Sequence, residues 1–212
     1  MPSSQTEWDE KYRLAGEDAA TEPAGILREL LPLLPGGRVL DLACGTGRNA
    51  LFLAIGGRHV TAVDWSAAGL GILEAKARSK GISVRRIREF EDRRGPARAG
   101  LDFLQADLEK TRLPDSAFAV ILCIRYLQRS LFPQMVRALR PGGVLLCETY
   151  TQAQLEFAIG PRSPEHLLRP GELRDAFRGL RVLFYRELRA GQGIASLAAQ
   201  KVQAGNHNQN GN

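Results

Sequence analysis

Read for its apolar positions, the chain alternates short continuous runs with stretches of helical spacing. RVLDLAC (38–44) is the first such run, followed by helical spacing from Asn49 to Ile55. HVTAVDW (59–65) is the second, with a helix over Ala67 to Ser79 after it. LDFLQAD (101–107), AFAVILC (117–123) and GGVLLCETY (142–150) complete a set of five. Each run is apolar throughout, the pattern of parallel strands covered on both faces. Between the last two, SLFPQMVRALRPGG carries helical spacing and ends in a Pro-Gly-Gly stop. LRVLFYREL (180–188) and GIASLAAQKV (193–202), joined by RAGQ, read instead as an antiparallel hairpin. The prediction is an α/β fold: a doubly wound, mostly parallel, seven-stranded Rossmann-like sheet ending in an antiparallel hairpin.

One stretch resists this pattern. Residues 82–100, ISVRRIREFEDRRGPARAG, separate the second helix from the third strand. Either ISVRRI is itself a strand or the segment is an insertion with a short basic helix. The insertion is favoured, because LDFLQADLE and LPDSAFAVIL make the better strand-turn-strand sequence. The expected organisation is one domain over 1–204, with 1–37 as an N-terminal helical cap, 82–100 as a basic insertion and 205–212 as a disordered tail.

Composition narrows the class without naming a function. A chain of 212 residues with 44% hydrophobic and 25% charged content has room for one soluble α/β domain. No apolar run approaches a membrane span, and MPSSQTEWDEKYR lacks the layout of a signal peptide, so a cytoplasmic protein is expected. Cys44, Cys123 and Cys147 show no metal-ligand spacing and read as buried, reduced thiols; no metal is implied. The net charge of +6 invites a nucleic-acid partner, and residues 82–100 concentrate six arginines against three acids. Most such runs are solvated faces.

The first strand runs into a glycine turn, Gly45-Thr46-Gly47-Arg48-Asn49-Ala50, that satisfies the G-x-G-x-x-G/A spacing of dinucleotide sites. Asp64 lies where a ribose-binding acid belongs in such a fold. Asp41, four positions before Gly45, argues the other way. A pyrophosphate against this turn would meet its charge, whereas a ligand carrying an ammonium and a sulfonium would be drawn to it. S-adenosylmethionine is such a ligand and NAD is not.

VLDLACGTGRNALFLA resembles the first motif of class I S-adenosylmethionine-dependent methyltransferases, VTAVDWS their second, LQADLEK the acidic element after the third strand, and LRPGGVLLCET the turn opening the fifth. The resemblance implies S-adenosylmethionine as cofactor. Its implied contacts are Asp41, Ala43, Cys44, Gly45 and Gly47 around the methionine part, and Asp64, Trp65 and Ser66 around the ribose and adenine. Asp107, the Leu108 backbone and Cys123 complete the set. WDEKYR (8–13), RYLQRSLFP (125–133), CETYT (147–151) and GPRSPEHLLRPGEL (160–173) further resemble the tellurite-resistance and thiopurine methyltransferase-like branch, whose members act on small, soft nucleophiles.

Position adds candidates for the acceptor side. Residues just past the carboxyl ends of parallel strands line the ligand crevice, which selects Arg125, Tyr126, Glu148, Thr149 and Tyr150. Trp8, Tyr12 and Arg13 form an aromatic-basic cluster able to fold over the cofactor, and Arg162 and His166 lie in a second candidate lid. Arg125 suits an anionic substrate. Tyr126, Glu148 and His166 are candidates to assist with a proton if the acceptor is a hydroxyl or amine. The segment Cys123-Ile124-Arg125-Tyr126 lacks the Asn/Asp-Pro-Pro-aromatic motif of base-methylating enzymes. The favoured reading is methyl transfer to a small molecule, a thiol or chalcogen oxyanion, by in-line displacement. RNA or protein methylation through the basic segment is the alternative, and the oligomeric state is left open.

Overall fold

The computed structural model describes residues 4–16, 20–90 and 98–203. Helices α1 (Gln5–Ala15) and α2 (Gly25–Leu30) precede the sheet. Strand β1 (Val39–Leu42) turns into α3 (Arg48–Ile55), and β2 (His59–Asp64) into α4 (Ala67–Ser79). Then come β3 (Val84–Ile87), β4 (Gly100–Gln105), β5 (Phe118–Ile124) and α5 (Phe132–Ala138). The chain closes with β6 (Leu139–Tyr150), α6 (Glu172–Ala176), β7 (Arg181–Leu188) and β8 (Ile194–Gln200).

The strands form one sheet in the order β3-β4-β2-β1-β5-β6-β8-β7. All pairings from β3 to β6 are parallel, and β8 runs antiparallel to both β6 and β7. The mostly parallel sheet with its terminal hairpin is as the apolar pattern predicts. Side chains alternate between two core layers. Val39, Val120 and Leu122 face one layer with the helices α2, α3 and α4, while Leu40, Leu42 and Ile121 face the other with α5 and α6. Because β1 has β2 on one side and β5 on the other, strand order reverses there and a crevice opens at the carboxyl ends.

The strand count is eight, one more than expected, and the extra strand corrects the reading of residues 82–100. Val84–Ile87 is an edge strand paired in parallel with β4 rather than part of an inserted helix. Its arginines are what an edge tolerates. Arg85 donates to both oxygens of Asp102, at 3.0 and 2.8 Å, and Arg86 lies over the Phe103 ring. Residues 91–97 of that segment and the expected tail 205–212 lie outside the described residues. Strand β6 also starts at Leu139, earlier than expected: Pro-Gly-Gly sits inside it, where the pairing with β5 shifts register. Among the described residues no helix is long and apolar enough to cross a membrane.

Candidate active site

The turn after β1 is built from backbone that side chains rarely allow. Ala43, Gly45 and Gly47 have φ of 52°, 58° and 75°. Gly47 N–H closes the turn on Cys44 O at 2.9 Å, and Cys44 N–H ties it to Val63 O of β2. A Cβ on Gly47 would stand 2.3 Å from the Leu73 side chain, so glycine is required by space as well as by φ.

Two carboxyl groups lie beneath this turn. Asp41 is 1% exposed, and its Oδ2 has no hydrogen-bond partner among the described residues. Burial pushes its pKa up to about 7, with the charge of Asp64 adding to the shift; the Ala50 amide and Arg48 pull the other way. Asp64, at the end of β2, accepts from Gly45 N–H at 2.7 Å through one oxygen and from Ser66 N–H at 2.8 Å through the other. Its pKa is raised, chiefly by burial. A carboxylate has about four lone-pair sites, so with the Gly45, Ser66 and Trp65 amides upon it Asp64 retains some acceptor capacity toward a ligand.

A cleft of about 780 Å³ opens beside the turn; Asp64 lines it, whereas Asp41, expected among the cofactor contacts, is buried behind the turn and outside the lining. Its floor includes Ala43, Cys44, Gly45, Asp64, Trp65, Asp107 and Leu108; Ile124, Arg125, Tyr126, Thr149 and Tyr150 form the far wall. Trp8, Lys11, Tyr12 and Ala15 of α1 roof one side, and Gly160, Pro161, Glu165 and His166 flank the other. The Trp8 and Tyr12 rings stack at 5.5 Å, with the Lys11 ammonium 4.2 Å from the Trp8 centroid. Burial lowers the Lys11 pKa and raises the Tyr12 phenol.

Not every candidate faces the cleft. Ser66 is fully buried as the N-cap of α4, where its Oγ accepts from Gly69 N–H, and Gly47 caps α3. Cys123 points the other way, into the core layer beside Cys147, its partner across β5 and β6; the neighbouring Ile124 takes the cleft position. Arg13 is exposed and pairs with Glu10 on α1. Arg162 donates to the carbonyls of Leu155 and Phe157 and shapes its own loop. Glu148 is buried behind the wall, accepting from Ser196 Oγ at 2.7 Å. Asp107 lines the cleft but also caps its own turn through Glu109 N–H and pairs with Lys110.

On the acceptor wall, Arg125 has φ 63° and stacks on the Tyr150 ring at 4.7 Å. It donates to Gln192 Oε1 at 3.0 Å and lies 3.4 Å from Glu148. Tyr126 donates to Gln128 Oε1 at 2.5 Å, and burial raises its phenol pKa. Lys11, Gln128 and Glu165 line the cleft at positions that the strand-end rule does not reach. Lys11 was accessible from helical spacing, since Trp8, Lys11, Tyr12 and Ala15 fall on one face of α1. Among the described residues no group of three or more His, Cys, Asp or Glu side chains could hold a metal ion.

A family model described as a methyltransferase domain matches residues 40–147. The chain is 30% identical over 143 residues to a 27-O-demethylrifamycin SV methyltransferase of Amycolatopsis mediterranei, covering 65% of this chain and 47% of that protein. It is 29% identical over 137 residues to a ubiquinone biosynthesis O-methyltransferase of Xylella fastidiosa, covering 64% and 51%. The chain thus spans about half the length of these curated relatives. The solved structure of TehB from Haemophilus influenzae superposes with a TM-score of 0.66 at 18% identity, over 93% of this chain and 66% of that one, a likeness of fold.

Proposed function

This chain belongs to the methyltransferase-domain family, and on that premise we propose that it moves a methyl group from S-adenosylmethionine to a small-molecule acceptor held on the Arg125–Tyr150 wall of the cleft. The observation that carries the reading is Asp64, a buried carboxyl at the end of β2 that lines the cleft and is bonded to Gly45 N–H of a turn with three left-handed residues. Asp41 lies behind that turn, so its charge acts on a ligand through the turn rather than by contact.

The residues present fit the cofactor. Asp64 lines the cleft with acceptor capacity left for a ribose hydroxyl beyond the amides it serves, and Tyr12, whose hydroxyl fills the space over Gly45, closes the turn side of the site. Trp65, 37% exposed on the cleft floor, offers a ring face to the adenine, with Asp107 and Leu108 alongside. When bound, S-adenosylmethionine supplies a methyl group already activated on a sulfonium, which leaves by in-line displacement. The protein's task is to hold the acceptor in line and exclude water. Trp8, Tyr12 and the 160–166 loop cover the cleft for that purpose.

The acceptor we infer is one whose nucleophilic atom ionises unaided: a thiolate, a chalcogen oxyanion or an acidic ring hydroxyl. The cleft supports this choice through what its phenols are. Tyr12 and Tyr126 both have raised pKa values and stay protonated at neutral pH, and Glu148 lies outside the cleft lining; Glu165 and His166 of the flanking loop are the lining groups that a hydroxyl acceptor would call on and a thiolate would not. The relatives named for rifamycin and ubiquinone chemistry agree with an O-methylated acceptor. Against the nucleic-acid alternative, Arg85 and Arg86 are tied to Asp102 and Glu74.

The test is calorimetric titration with S-adenosylhomocysteine on the wild type and on Asp64→Ala, with NADH as control. Binding that weakens by about 100-fold in the variant, with NADH silent, is the expected result. NADH binding in place of S-adenosylhomocysteine would overturn the cofactor reading.

A further inference from the structure

We propose that Asp9 is a positioning residue: by holding Ser66 it latches α1 over the cofactor turn and sets the rate at which the cofactor and its product exchange. The inference rests on the cofactor reading above. It starts from how little else holds α1. This helix buries none of its residues completely, and Leu14 on it is 80% exposed. Its packing runs to α4, and the Asp9 carboxylate hydrogen-bonds across that contact.

Asp9 Oδ1 accepts from Ser66 Oγ at 2.5 Å and from Ala68 N–H at 3.0 Å. Both donors belong to the first turn of the 13-residue α4, whose free N–H groups and dipole favour an anion. These two bonds hold the Asp9 carboxyl below the usual carboxylate range.

Ser66 is shared between lid and site. Its N–H goes to Asp64 Oδ1 at 2.8 Å while its O–H goes to Asp9. The acid that suits the ribose and the acid that holds the lid are therefore joined through a single fully buried residue. One turn after Asp9, Tyr12 lies across two glycines. Its hydroxyl is 2.8 Å from where a Cβ on Gly45 would stand, and its ring 3.1 Å from the same point on Gly69. With the latch made, Trp8, Lys11 and Tyr12 stay over the cleft. With it broken, α1 keeps only partly buried contacts, and the way to the cofactor turn opens.

The experiment compares the wild type with Asp9→Ala and Asp9→Asn. Asparagine keeps an oxygen able to accept both bonds, so it separates the latch from the charge. Release of S-adenosylhomocysteine is followed by stopped-flow fluorescence, using the chain's two tryptophans, Trp8 on the lid and Trp65 on the floor. Hydrogen exchange of the α1 amides is measured on the free protein, and thermal unfolding reports on the sheet. The expected result is release about 10-fold faster or more in Asp9→Ala and near wild type in Asp9→Asn. Faster exchange confined to α1, with an unchanged unfolding midpoint, should accompany it. Release and α1 exchange in Asp9→Ala equal to wild type would overturn the latch. If the wild type does not bind S-adenosylhomocysteine, the cofactor reading fails, and the exchange arm still decides whether Asp9 holds α1.

Discussion

Asp41 of β1 and Asp64 of the adjacent β2 are two buried carboxyl groups at one glycine turn: burial raises the pKa of both, and the charge of Asp64 adds to the shift on Asp41. Asp64 is held by the backbone amides of Gly45, Ser66 and Trp65. Asp41 has an oxygen with no partner and a pKa of about 7. A ligand ammonium held near Asp41 favours its ionised form, so the affinity of such a ligand should rise with pH up to about 7 and then level. S-adenosylhomocysteine should bind about tenfold more weakly at pH 6 than at pH 8. At pH 6 binding should release a proton, seen as a calorimetric enthalpy that changes with the buffer's ionisation heat. Asp41→Asn should abolish that dependence.

The same shift has a sign for folding. The pKa of Asp41 is raised in the native state, from 3.8 to about 7. Between those values the unfolded chain has lost the proton that the folded chain keeps. This group therefore makes the unliganded protein less stable as pH rises through that window, with no further change above it. Urea unfolding of Asp41→Asn should show a shallower decline from pH 5 to pH 7 than the wild type. An identical slope would mean that Asp41 is ionised throughout.

If the acceptor arrives ionised, removing a phenol from the wall should cost little. Tyr126→Phe loses the bond to Gln128 but no proton acceptor. Its kcat should stay within about tenfold of wild type, below the roughly 10²- to 10⁴-fold that general acid–base catalysis contributes. Paired aryl and alkyl thiols make suitable probes. The pH at which the rate rises should follow the thiol's own pKa, and a profile indifferent to the thiol would assign the proton to a protein group.

What was legible in the chain is what is local. Asp41, Gly45 and Gly47 fall within seven residues, and Asp64 ends a strand with its own apolar signature, so turn and acids read directly. Strand β3 did not. Two of its four residues are arginines, and it is held by Asp102, which only the folded sheet brings alongside. Cys123 was misplaced by one position of strand alternation: it faces the core, and Ile124 faces the cleft. The Asp9–Ser66 bond joins residues 57 apart and leaves no local pattern at all. The reach of sequence reasoning here ends where a side chain's partner is chosen by tertiary packing.

Ala43 occupies the left-handed region at φ 52° without being glycine. An L-residue there costs about 1–2 kcal/mol, and glycine recovers that at an entropic cost of about 0.5–1 kcal/mol. Ala43→Gly should therefore leave stability unchanged or raise it by about 1 kcal/mol in urea unfolding. A clear loss would mean that the alanine methyl supplies packing that outweighs the strain.

Gly47 is the opposite case, and it separates the turn's structural demand from its ligand chemistry. It has φ 75° and does not face the cleft, and a Cβ would meet three side-chain atoms of Leu73 between 2.3 and 2.7 Å away. Left-handed strain of about 1–2 kcal/mol adds to overpacking of about 1–3 kcal/mol. Gly47→Ala should destabilise the fold by about 2–5 kcal/mol. Leu73 lies on α4, so Leu73→Ala in the same chain should return the steric part and leave the φ part, while creating a cavity of its own. A double-mutant cycle therefore should show coupling between the two positions of about 1 kcal/mol or more. Additive effects would mean that α4 moves aside without cost, and that the turn is held by its backbone bonds alone.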